Sequence, residues 1–151
     1  MKRKYVAVNY DIETQKNLRN WCKENGYDLA IDYNGNIKDP NDFVFHTTII
    51  YSKNEFDGIH NSIIDIKKIE VKPIKFDLFG DNKDIPVLLV ESEELIQVHK
   101  WLESIGLQDY WSEFCPHISL SYAKNTGIDK SLPNFKLYYD TIVIEDLDDE
   151  V

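Results

Sequence analysis

The chain has 151 residues, enough for one sizeable hydrophobic core or two small lobes that share one. An apolar fraction of 42% with 13% aromatic residues excludes a disordered polymer. A net charge of −10 argues against long duplex nucleic acid, whose non-specific binders carry a basic face, but a small anion still fits a locally positive cleft.

Tyr5 to Tyr10 reads as a first strand, with Tyr5, Ala7 and Asn9 on one face and Val6, Val8 and Tyr10 on the other. A helix follows from about Glu13, with Leu18, Trp21 and Cys22 on one side and Gly26 as its stop. Residues 32–42 are rich in turn formers and read as a loop. Phe43 to Tyr51 is a β-branched and aromatic strand. Within Lys53 to Lys68 the spacing of Ile59, Ile63 and Ile66 predicts a short helix. Val71 to Phe79 and Ile85 to Glu91 are strands, and Pro73 suggests an edge or bulge in the first. Ser92 caps a second helix with Glu93 and Glu94 in its first turn, Leu95, Val98, Leu102 and Ile105 on its apolar face, and Gly106 at its end. His117 to Ala123 and Phe135 to Glu145 complete the strands. The order strand, helix, histidine-bearing strand occurs twice, over Tyr5–Tyr51 and Ile85–Tyr122. One bilobal unit over residues 1–151 is the expected organisation.

Cys22 and Cys115 have no metal-ligand or redox spacing. Cys22 reads as a buried free thiol, and two isolated cysteines suit a reducing compartment. No apolar run reaches transmembrane length, so a cytoplasmic protein is expected. The acids Glu145, Asp146, Asp148, Asp149 and Glu150 read as a solvated tail.

Two segments carry chemistry: Phe45-His46-Thr47-Thr48-Ile49 and Pro116-His117-Ile118-Ser119-Leu120. Alternate residues of a strand share a face, so His46 stands beside Thr48 and His117 beside Ser119. Phe45, Ile49 and Tyr51, and likewise Ile118, Leu120 and Tyr122, would form the apolar backs. Two imidazoles titrating near neutrality can remove one proton and deliver another, while the hydroxyls bond to phosphate oxygens. No cofactor and no metal is called for. Chance supplies roughly 0.3–0.4 H-x-S/T matches in such a chain, so the motif alone is weak. Context decides: His60-Asn61-Ser62 fits it too but lies outside a strand, and His99 lies on the second helix, where packing or a cap-like contact is its expected role.

These two motifs resemble those of the 2H phosphoesterase superfamily, which includes the bacterial 2′-5′ RNA ligase-like proteins. The first departs from the family pattern at Thr47, where an apolar residue is usual; the run Pro86 to Glu91 before a helix is also similar. The resemblance implies an α+β bilobal fold with two antiparallel-rich sheets around a central cleft and helices outside. Within the superfamily the chain looks most like the phage anti-CBASS nucleases, which cut 3′-5′ bonds of cyclic oligonucleotide signals without a metal. On that resemblance His46 and His117 are the acid/base pair, Thr48 and Ser119 bind phosphate, and the partner is a cyclic di- or trinucleotide in the host cytosol. Tyr10, Tyr110 and Trp111 are candidate stacking surfaces for its bases, and Glu145 a candidate acceptor at a base edge. Lys53 and Lys124 read as solvated.

Other readings remain at this stage. They are a 2H phosphodiesterase of RNA ends, a sponge that binds cyclic nucleotides without cutting, and a non-catalytic acidic interaction protein.

Overall fold

Alternation in the first strand, β1 (Arg3–Tyr10), buries Val6, Val8 and Tyr10 and turns Tyr5 and Asn9 the other way. The computed structural model describes residues 2–147. Helix α1 (Ile12–Glu24) starts where the Asp11 carboxylate accepts the Thr14 N–H at 2.8 Å, and it buries Leu18 and Cys22. Gly26, at φ +81°, turns the chain after it. Strand β2 (His46–Glu55) begins later than the expected Phe43 because side-chain bonds occupy the Phe45 backbone. The Gln15 amide donates to Phe45 O at 2.7 Å and accepts from Phe45 N at 2.8 Å.

The helix expected within Lys53–Lys68 is corrected to strand: β3 runs from Ser62 to Phe79. Its register against the last strand jumps between Asp65 and Ile69. That bulge lets Ile66 and Ile69 both reach the core, which the alternation of a regular strand forbids, and leaves Ile63 exposed. The helix-like spacing of isoleucines thus comes from a kinked strand.

Strand β4 (Ile85–Glu91) and helix α2 (Glu93–Ser104) lie close to the bounds read from the sequence. The Ser92 hydroxyl accepts the Leu95 N–H at 3.3 Å. Strand β5 (His117–Ser119) is shorter than the expected His117–Ala123. After Leu120 the Ser121 hydroxyl donates to the Asp28 carbonyl and accepts the Ala123 N–H, which turns the chain out of the ladder. Strand β6 (Leu137–Asp146) closes the fold. Of the expected acidic tail, Glu145 and Asp146 belong to this strand, while Asp148, Asp149 and Glu150 lie outside the described residues.

All neighbouring strands are antiparallel, in the order β2-β1-β6-β3-β4-β5. The expected two sheets are therefore one: β3 pairs with β6 over Ser62–Val71 and with β4 over Lys72–Phe79, joining both halves. The order reads alike from either end, with a histidine strand at each edge and the opening strand of its unit next to it. The edge strands β2 and β5 nevertheless touch, so the sheet curls until its ends meet, although no ladder joins them among the described residues.

One apolar cluster joins the sheet to both helices, including Val6, Tyr10, Leu18, Leu88, Leu95, Leu102 and Ile118. Each such side chain contributes roughly 1.5–3 kcal/mol by leaving water. No helix among the described residues is long and apolar enough to cross a membrane.

Candidate active site

The curl brings His46 and His117 together from opposite edges: charge on His46 acts on the imidazole of His117. Both rings are held in the same way. His46 Nδ1 lies 3.2 Å from the Val44 carbonyl, and His117 Nδ1 lies 2.8 Å from the Cys115 carbonyl. A carbonyl only accepts, so Nδ1 carries the proton and Nε2 presents its lone pair. The His117 ring also packs edge-on against Phe79, with centroids 4.6 Å apart.

Burial pushes both imidazoles below the ordinary histidine value. In His46 the Val44 carbonyl and then the Glu145 carboxylate oppose that shift. In His117 only the Cys115 carbonyl opposes it, and the charge of His46 lowers it further. The two rings are alike in anchoring and unlike in field.

Each motif hydroxyl meets a tyrosine. Tyr5 Oη is 2.9 Å from Thr48 Oγ1, and Tyr122 bonds to Ser119. Burial raises the Tyr5 phenol to about 12 and raises Tyr122 as well, so both stay protonated and able to donate at neutral pH. Tyr122 was expected on the apolar back with Ile118 and Leu120. It reaches the front instead because the strand ends at Ser119. Tyr51 is likewise corrected to the front: Ile49 is an extra residue between the pairs Val6–Ile50 and Ala7–Thr48, and this bulge reverses the facing of Tyr51. Its ring meets Tyr5 at 6.1 Å.

The expected ligand contacts divide. Tyr10 is corrected to a core residue, 3% exposed, with its hydroxyl 2.7 Å from Thr47 Oγ1 and its ring edge-on to Tyr139. No face of it is left for a base. Tyr110 and Trp111 are exposed, and both meet Tyr51, at 6.1 and 5.8 Å, on the Thr48 side of the histidines. Glu145 pairs across the sheet with Tyr5 and acts on His46. Lys53 and Lys124 are exposed, as read.

His60 is exposed and outside any strand. His99 is buried against Asp109 at 3.0 Å and Glu103 at 3.3 Å, and it stacks on Phe114 at 4.3 Å. Cys22 is a buried free thiol pushed up to about 12 by desolvation. Among the described residues there is no group of three or more His, Cys, Asp or Glu arranged to hold a metal ion.

Sequence reading missed Tyr5, Tyr122 and Phe79 as site residues. Alternation alone put Tyr5 on the face of Asn9, but only the pairing of Asn9 with His46 and of Ala7 with Thr48 shows that this face carries the histidine.

Fold and site together define an α+β protein with one six-stranded antiparallel sheet whose two edge strands, each bearing an anchored histidine, approach one another. The model of the family described as Anti-CBASS protein Acb1 matches residues 2–151, and the chain belongs to that family. No curated protein matches it.

Proposed function

We propose that this chain is a metal-independent phosphodiesterase of the 2H kind that opens 3′-5′ bonds in cyclic di- or trinucleotide signals and so counteracts CBASS. The observation that carries the reading is the matched anchoring of His46 and His117 on facing edge strands. Membership of an anti-CBASS family supports the choice of ligand.

One imidazole takes the proton of the 2′-hydroxyl that attacks phosphorus. The other protonates the leaving 5′-oxygen. The products are a 2′,3′-cyclic phosphate and a free 5′-hydroxyl, and water opens the cyclic phosphate with the two roles exchanged. The unequal fields support one division of these roles. His46, raised by the charge of Glu145, is the acid; His117, depressed further by His46, is the base. Tyr5 and Tyr122 donate to Thr48 and Ser119, which frees the threonine and serine protons for the non-bridging oxygens.

The test is incubation with 3′,3′-cyclic GMP-AMP in excess EDTA, with products separated by chromatography. A linear product supports the reading. Tight binding of an intact ring makes the protein a sponge. Neither outcome turns attention to 2′,3′-cyclic phosphates and 2′-5′ linkages of RNA ends, and failure there as well leaves a non-catalytic acidic interaction protein.

A further inference from the structure

Beside His46 lies a cavity of about 260 Å³ whose walls include Asp32, Tyr33, Asn34, Asp42, Phe43 and Tyr122. We propose that it is a subsite for one nucleobase of the cyclic oligonucleotide, with Tyr33 as its stacking surface and Asp42 reading its N–H edge. The inference rests on the phosphodiesterase reading and adds to it the place of one base.

Size comes first. Sites for drug-sized ligands occupy roughly 300–1,000 Å³, so this cavity holds one planar group and not a whole dinucleotide. Position comes second. His46 and Tyr122 both line it, and Tyr122 bonds to Ser119, so it opens beside the first motif and is linked to the second through Tyr122. A base there belongs to the nucleoside next to the bond being cut, on the side where His46 protonates the leaving oxygen.

The third observation is Tyr33 itself. It is 80% exposed and meets Tyr122 at right angles, with centroids 5.7 Å apart, which leaves ring surface open. It is not on a slack loop. Asp32 and Lys38 donate backbone N–H groups to the carbonyls of Asn36 and Ala30, both at 2.8 Å, and the Asp32 carboxylate accepts the N–H groups of Asn34 and Asn36, both at 2.9 Å. A large aromatic side chain is thus held in water on a cross-linked hairpin at the rim of the site.

Charge gives the fourth. A carboxylate only accepts, so Asp32 and Asp42 suit the amino and imino edge of a base, while Lys38, which lines the same cavity, suits a base carbonyl. Asp32 is already committed to its hairpin; Asp42 is the better reader. Tyr110 and Trp111, beside Tyr51 and outside the wall of this cavity, form a second aromatic surface. Two separate aromatic surfaces suit the two bases of a cyclic dinucleotide.

The experiment measures KM and kcat for 3′,3′-cyclic GMP-AMP with the wild type, Tyr33→Ala, Tyr33→Phe and Asp42→Asn, with thermal melting as the folding control. The subsite predicts that Tyr33→Ala raises KM about tenfold, the scale of one lost base stack. Tyr33→Phe should restore it, and Asp42→Asn should change the relative KM of cyclic dinucleotides that differ in one base. Wild-type cleavage with an unchanged KM in Tyr33→Ala overturns the subsite and leaves the phosphodiesterase reading standing. Absence of both cleavage and binding by the wild type overturns both.

Discussion

The charge of His46 lowers the pKa of His117 although the two residues stand on strands at opposite ends of the sheet order. A curled sheet thus does what sequence neighbourhood cannot: it puts residues from the two repeated units into one field.

That field has a pH signature. Both imidazoles sit below the ordinary value of 6.5, and the active form needs one protonated and one neutral. The profile of kcat/KM against pH is therefore a bell with its maximum on the acid side of 6.5, falling as pH rises, and a maximum above about pH 7 would contradict it. Glu145→Gln removes a charge that raises His46 and should move the alkaline limb further down. Stability carries the opposite limb. The unfolded histidines take up protons before the folded ones, so stability is lost as pH falls through 6.5, and melting temperature against pH will show it.

The paired phenols give a second prediction. Tyr5→Phe and Tyr122→Phe each remove a bond to a motif hydroxyl and keep the ring. Each should lower kcat by about fivefold, since one such bond is worth about 1 kcal/mol, with KM little changed. A rise confined to KM would place the tyrosines in ligand binding instead.

Tyr110 and Trp111 stand exposed beside Tyr51. Trp111→Ala should raise KM by about tenfold for a cyclic dinucleotide, the loss of one stacked base. Titration of the intrinsic tryptophan fluorescence with ligand gives an independent reading, because the quench should shrink in the variant.

His99 is a structural prediction. Between Asp109 and Glu103, and stacked on Phe114, it pins the segment that runs from α2 to the second motif. His99→Ala should cost about 1.5–3 kcal/mol, the worth of a bond to a charged group. That corresponds to roughly 3–10 °C in Tm. An unchanged melting temperature would show that the segment is held by other contacts.

Much of this was legible in the chain. Capping chemistry placed α2 from Ser92, and period-two alternation put His46 with Thr48 and His117 with Ser119, because these signals are local. What failed needed partners. Tyr10 looked like a platform at a strand end and became core, because the face of β1 that it shares with Val6 and Val8 meets the helices. Tyr51 changed sides through one bulged residue, and the isoleucines of β3 imitated a helix through another. No residue within β3 announces that both halves share it, since that depends on pairing with β6 and β4.

The most direct measurement is the cleavage rate of 3′,3′-cyclic GMP-AMP in excess EDTA by the wild type, His46→Ala, His117→Ala and the double variant. Groups that act as a unit are not additive, so each single change should abolish about 10²–10⁴ of the rate and the double should be hardly slower than either. A single variant that keeps a rate within about tenfold of the wild type would contradict the two-histidine account.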